Sequence, residues 1–185
     1  MNIHEEEKLV EKAKESLQAF DLLYDHYLPK IYSYILNRVG SQEIAEDVTS
    51  KTFLKAMTKL KSFEYRGYTF GAWLYKIAHN NIVDYYRSKK GLEVDLEKMK
   101  EVLVANKGEI SKEDQIERQT ILLEAISKLP ENYQQMLTLR FFEELSNQEL
   151  ADVLGCSKNT ATVGVHRASK ALRKVLVKMG LENYI

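Results

Sequence analysis

Cysteine is almost absent. Cys156 stands alone in 185 residues, which excludes an internal disulfide and fits a reducing cytoplasm. Prolines number two and glycines eight, so few positions interrupt a helix. No apolar run approaches the ~18 residues of a membrane-spanning helix. The N-terminus, MNIHEEEKLVEK, is acidic and lacks the apolar core of a signal peptide. Net charge is absent too: 27 basic residues balance 27 acidic ones, and bulk electrostatics gives no evidence for a polyanionic partner. The four histidines, His4, His26, His79 and His166, show no metal-ligand spacing. There is no glycine-rich phosphate loop and no G-x-S-x-G nucleophile motif. The sequence is therefore expected to encode no enzyme, and to need no metal, no cofactor and no small-molecule substrate. Cys156 is expected to be a small packed residue of a turn.

What is present is helical periodicity. Hydrophobic residues make up 44% and charged residues 29% of the chain, within the range of soluble globular proteins. Strand-like alternation is missing almost everywhere. The reading is all-α, with two small helical domains, 1–90 and 113–185, joined by a linker, 91–112. In the first domain, SLQAFDLLYDHYLPKIYSYILNRV is apolar on more than one side and should be a core helix, kinked or broken at Pro29. Ser41 can cap the next helix, SQEIAEDVTSKTFLKAMTKL, whose apolar stripe includes Val48, Phe53 and Ala56. After the loop KSFEYRGYT, the helix FGAWLYKIAHNNIVDYYRSKK sets Phe70, Trp73, Leu74, Ile77, Ala78, Ile82 and Tyr85 on one face. Lys76, Asn80, Val83, Asp84 and Arg87 occupy the other. The linker is charge-rich, and at roughly twenty residues is long for a connection within one domain. In the second domain Ser111 can cap KEDQIERQTILLEAISKL, and Pro130 suits the first turn of PENYQQMLTLRFFEEL.

The most informative stretch is SNQELADVLGCSKNTATVGVHRASKAL. Ser146 and Glu149 form a capping box for a short helix. Gly155 can take the left-handed conformation that ends it, and Ser157 can cap the long helix that follows. This is the layout of a helix-turn-helix, whose second helix enters the major groove of DNA. That helix would bury Ala161, Val165, Ala168 and Leu172. It would expose Lys158, Asn159, Thr162, Val163, His166, Arg167 and Lys170. Arg, Asn and Thr can bond base edges, Val163 can touch a thymine methyl, and the lysines suit phosphates. From Ser157 to Lys178 there are six basic residues, among them Arg173 and Lys174, and no acid. Local patterning of this kind makes a binding site even where net charge is zero.

With these residues in view, LPENYQQMLTLRFFEELSNQELADVLGCSKNTATVGVHRASKAL resembles the promoter-binding domain of bacterial RNA polymerase sigma factors of the extracytoplasmic-function type. AFDLLYDHYLPKIYSYILNRVGSQEIAEDVTSKTFLKAM resembles their helices that bind core polymerase. FEYRGYTFGAWLYKIAHNNIVDYYRSKK resembles the segment that reads and opens the minus-10 element. The resemblance runs from about residue 15 to 178, and two such blocks in this order are more specific than a helix-turn-helix alone. It implies a cytoplasmic factor that binds core RNA polymerase and promoter DNA, does not insert into a membrane and is held inactive by an anti-sigma factor. It implies that Asp47, Thr49, Ser50 and Phe53 dock on the polymerase. It implies that Tyr65, Arg66, Tyr68, Lys76, Asn80, Asp84 and Arg87 meet the minus-10 strand. Aromatics interleaved with bases supply stacking surfaces and neutralise phosphate, as single-strand binding requires. Phe70, Trp73 and Tyr85 are read as core.

The sequence departs from the family pattern twice. Lys51 stands where an acidic residue is common, and Thr162, Val163 and Gly164 are short where longer polar residues are common. Gly164 costs about 0.8–1.0 kcal/mol relative to alanine inside a helix, so it is expected to permit a close approach, of DNA or of the preceding helix. The expectation is that Gly164→Arg alters minus-35 preference more than stability. The competing reading is a one-component helix-turn-helix regulator that binds duplex DNA without polymerase.

Overall fold

The computed structural model describes Met1 and residues 3–65, 69–88, 121–122 and 124–181. Arg66, Tyr68, Ser111 and the expected linker, 91–112, lie outside the described residues. The described elements are α1 (Ile3–Ala13), α2 (Leu17–Val39), α3 (Gln42–Lys59), a 3-10 turn (Leu60–Ser62) and α4 (Phe70–Ser88). They continue as α5 (helical at 121–122 and 124–127), α6 (Glu131–Leu137), a π-helical turn (Thr138–Phe142), α7 (Asn147–Leu154) and α8 (Lys158–Lys178). No strand occurs among the described residues. The chain divides into two compact units: α1–α4 lie in the first, and the second holds α5, α6, the π-helical turn and α8 with most of α7.

In the first unit α2 is central. Ser16 caps it, its hydroxyl accepting the Ala19 N–H at 3.4 Å. Gly40 ends it at φ 65°, and its N–H returns to the Leu36 carbonyl. Leu23, Ile31, Tyr34 and Ile35 are almost fully buried, as a helix apolar on several sides requires. The expected break at Pro29 does not occur. The helix runs through it, and the proline ring lies exposed. Burial of the turns on both sides outweighs the roughly 3 kcal/mol that an interior proline costs.

Helix α3 starts after Ser41, which takes the extended dihedrals of a cap, but its hydroxyl makes no capping bond; its carbonyl receives the Ala45 N–H at 2.9 Å. α3 and α4 are stitched by polar groups as well as by packing. Asn81 donates to the buried Thr52 hydroxyl at 3.0 Å and accepts from Lys55 Nζ at 3.2 Å. Thr52 in turn donates to the Val48 carbonyl at 2.7 Å. Tyr34 and Tyr75 meet edge to face, centroids 5.3 Å apart, and join α2 to α4. The Tyr86 hydroxyl donates to the Arg38 carbonyl at 2.6 Å.

In the second unit Pro130 sits at the N-cap of α6 rather than inside it. Its carbonyl accepts the N–H groups of Tyr133 and Gln134 at 2.9 and 3.1 Å. The segment expected as one helix changes to π geometry at Thr138 and ends at Phe142. The core joins Ile126, Leu129, Leu137 and Ala168, with Tyr133, Phe142, Leu172 and Val175 packed against it. Thus α8 is held from Ala168 to Val175 by α5 and α6.

His79 is half-buried on α4. Burial first, and the Arg38 cation second, lower its pKa from 6.5. As pH falls through 6.5 the unfolded chain takes up a proton that the folded chain resists, so stability is full above that pH and declines below it. Thermal melts between pH 7 and pH 5 should show a falling midpoint, and His79→Gln should make that fall shallower.

Candidate nucleic-acid interface

The turn between α7 and α8 is built from local bonds. The Ser146 hydroxyl accepts the Glu149 N–H at 3.2 Å, and the Glu149 carboxylate accepts the Ser146 N–H at 2.9 Å. Gly155 adopts φ 66°, with open space where a Cβ would stand. Conformation, not crowding, is therefore what calls for glycine there. The Cys156 N–H reaches the Ala151 carbonyl at 3.0 Å, and the thiol is half-buried. Ser157 then caps α8, its hydroxyl accepting the Thr160 N–H at 3.1 Å.

Helix α8 is two-sided. Ala161 and Ala168 are fully buried, and Val165 and Leu172 half-buried. Lys158, Asn159, Thr162, Val163, His166, Arg167 and Lys170 are all exposed, and the first turn holds no carboxylate. The Thr162 hydroxyl donates to the Lys158 carbonyl at 2.8 Å. Its proton is therefore spent within the helix, leaving oxygen lone pairs and a methyl group facing outward. In that rotamer Thr162 can accept from a base amino group or touch a thymine methyl.

Gly164 does not face outward. A Cβ built on it would lie 2.6 Å from Met136 Sδ and 2.7 Å from its Cε. The close approach it permits is to α6. A side chain at this position requires the flexible end of Met136 to shift, so Gly164→Arg perturbs packing against α6 whatever it does to DNA preference.

On α4, Lys76, Asn80, Asp84 and Arg87 are exposed. Their spacing of four, four and three sets them along one face over about 16 Å at the helical rise. Asp84 also lines an open cleft with Asp47, Val48, Lys51, Asn81, Tyr85 and Ser88. Tyr65, expected to meet the minus-10 strand and so to be exposed, is not. It is half-buried, stands edge to face with Phe63 at 5.0 Å, and donates its hydroxyl to Glu6 at 3.1 Å. Burial and the Glu6 carboxylate push its pKa up from 10.0. Phe63, Phe70 and Trp73 form a ring cluster, with Phe63 4.9 Å from Trp73 and 5.7 Å from Phe70. Phe70 is buried, whereas Trp73 and Tyr85 keep part of their surface open.

Of the residues expected to dock on a polymerase, Asp47 and Ser50 are exposed on α3. Thr49 and Phe53 are 4% and 5% exposed, and Phe53 packs on Tyr24 with centroids 4.6 Å apart. The α3 stripe that holds these two faces the core, so of the four only Asp47 and Ser50 stand open to a partner in this arrangement. Lys51 pairs with Asp47 at 2.5 Å, one turn along an exposed face, where such pairs contribute little stability. Sequence reading missed Glu6 and Asn81, whose partners lie far away in the chain. Among the described residues no group of His, Cys, Asp or Glu could hold a metal ion. No described helix is long and apolar enough to cross a membrane.

Comparison with known proteins agrees with this architecture. The Sigma-70 region 2 family matches residues 23–91 and the Sigma-70 region 4 family matches 119–172. The chain is 39% identical to the ECF RNA polymerase sigma factor BldN of Streptomyces coelicolor, over 91% of this chain and 65% of that protein. It thus spans just under two thirds of BldN. It is 31% identical to the RNA polymerase sigma factor YlaC of Bacillus subtilis, over 88% of this chain and 95% of that one. The fold is similar to that of CnrH, solved with the cytosolic domain of CnrY, at a TM-score of 0.65 and 20% identity over 94% of this chain and 97% of that one. It is similar also to the sigma factor RpoE of Bartonella quintana, solved with the anti-sigma factor NepR, at 0.63 and 23% over 85% and 96%. With 31% identity to the ECF RNA polymerase sigma factor SigW of Bacillus subtilis over 91% of this chain and 95% of that one, the chain belongs to the extracytoplasmic-function sigma factors of the sigma-70 family.

Gly164→Leu is expected to destabilise the second unit by about 1–3 kcal/mol, the usual cost of overpacking. Met136→Ala in the same chain should restore part of that loss, read by urea unfolding.

Proposed function

We propose that this chain binds core RNA polymerase and carries it to promoters through two readings of DNA. Residues 113–185 read the minus-35 element as duplex, with α8 in the major groove. Residues 1–90 capture the minus-10 element as single strand along α4, and residues 91–112 join the two. The observation that carries this reading is the face of α8. Lys158, Asn159, Thr162, Val163, His166, Arg167 and Lys170 are all exposed, with no carboxylate in the helix's first turn. The stripe Lys76, Asn80 and Arg87 supports the second half.

In this reading Asn159 and Arg167 address base edges, while Lys158 and Lys170 hold phosphates. Asp47 and Ser50 supply the polar part of polymerase docking, with Lys51 tempering the charge of Asp47. Arg66 and Tyr68 take part in minus-10 capture by resemblance to the family. An anti-sigma factor covers these faces until release, as NepR accompanies RpoE in its solved complex.

The test is promoter binding with and without core polymerase. Binding that requires polymerase supports the reading. Tight, specific duplex binding by the chain alone, unchanged by polymerase, would favour a one-component regulator instead. Within the polymerase complex, Arg167→Ala should weaken minus-35 binding about tenfold if it reads a base edge. Lys170→Ala should weaken binding to all sequences alike and reduce the salt slope by about one.

A further inference from the structure

Glu6 has no role in the family reading, yet it is among the few buried charged side chains, at 6% exposure. An ionised carboxylate in such a place requires hydrogen bonds to hold it. Its Oε1 accepts the Tyr65 hydroxyl at 3.1 Å and the Phe70 backbone N–H at 2.8 Å. Its Oε2 accepts the Tyr27 hydroxyl. One oxygen of α1 therefore holds residues on both sides of the segment 66–69. Phe70 opens α4, so the carboxylate also satisfies a backbone donor left unpaired at a helix start and lies at the positive end of its dipole. The Thr69 hydroxyl takes another donor of this first turn, accepting the Ala72 N–H at 3.2 Å. Tyr27 packs its ring against Phe70 at 5.6 Å. It also crowds Gly71, where a Cβ would lie 3.0 Å from the Tyr27 ring.

We infer that Glu6 is a positioning residue for minus-10 capture: α1 fixes Tyr65 and the first turn of α4 in the arrangement that receives the single strand. The inference rests on the assignment of the minus-10 strand to this unit. Tyr65 then acts through the loop, as an anchor bonded to Glu6. α1 lies outside the stretch matched to the Sigma-70 region 2 family, which begins at residue 23.

The experiment reconstitutes the chain with core polymerase and measures affinity for a fluorescent single-stranded oligonucleotide carrying the minus-10 sequence. Affinity for core polymerase and the thermal midpoint are measured beside it. Glu6→Ala should weaken oligonucleotide binding about tenfold, through loss of the bonds that hold Tyr65 and the start of α4. Its affinity for core polymerase should change less than about twofold on the same scale. Glu6→Gln, which keeps an acceptor, should recover part of the loss. Tyr65→Phe removes one bond and leaves the ring packed; it should reproduce the effect in smaller measure. Wild-type oligonucleotide affinity in both Glu6→Ala and Tyr65→Phe would overturn the inference. So would an effect confined to Glu6→Ala with polymerase affinity lost in parallel. Failure of the unaltered chain to bind the oligonucleotide would instead remove the assignment on which the inference stands.

Discussion

The seating of α8 against α6, and of α4 against α2 and α3, is the constraint on which the rest depends. A helix can offer a full face to a partner only when its opposite face is locked. In α8 the lock combines small residues, Ala161, Gly164 and Ala168, with Leu172, Val175 and Leu176 further along, and Gly164 lets the backbone come close to Met136. With the inner face fixed in this way, the outward positions of the first turns are released from packing and are polar or short. The cost of an interior glycine and of β-branched residues is the consequence of that division. In α4 the lock is larger, with Phe70, Leu74, Ala78 and Ile82 buried behind the exposed stripe.

Apolar packing alone does not fix rotation or register, since hydrophobic contact is non-directional. The first unit adds directed bonds where register matters. Asn81 ties α4 to α3 through Thr52 and Lys55, and Glu6 ties α1 to α2, to the loop and to the start of α4. Such buried polar groups contribute little net stability, but leaving one unpaired costs about 1–3 kcal/mol. They penalise other arrangements more than they reward the native one. The second unit uses caps instead: Ser146 with Glu149, Gly155 and Ser157 set the angle at which α8 leaves the turn.

Much of the fold was legible in the sequence because its signals are local. The capping box, the left-handed glycine and the 3.6-residue stripes each act within a few positions, and the structure places them as the pattern implies. The two-sidedness of α8 was legible for the same reason. What was not legible depends on distance in the chain. Pro29 reads as a break, but the tertiary burial of Tyr27 and Ile31 carries the helix through. Tyr65 reads as exposed because its partner, Glu6, lies 59 residues away. Phe53 and Thr49 fit a docking motif and an apolar stripe equally well, and only the packing of Tyr24 decides for the stripe. Gly164 could serve either face until Met136 was placed beside it.

The central claim is that these locked helices serve polymerase rather than a free-standing regulator. The most direct measurement is transcription from genomic DNA by core polymerase with and without the purified chain, with start sites mapped. Initiation is expected at a discrete set of sites that share a minus-35 and a minus-10 element and appear only when the chain is added. Identical start sites with and without the chain would contradict the claim.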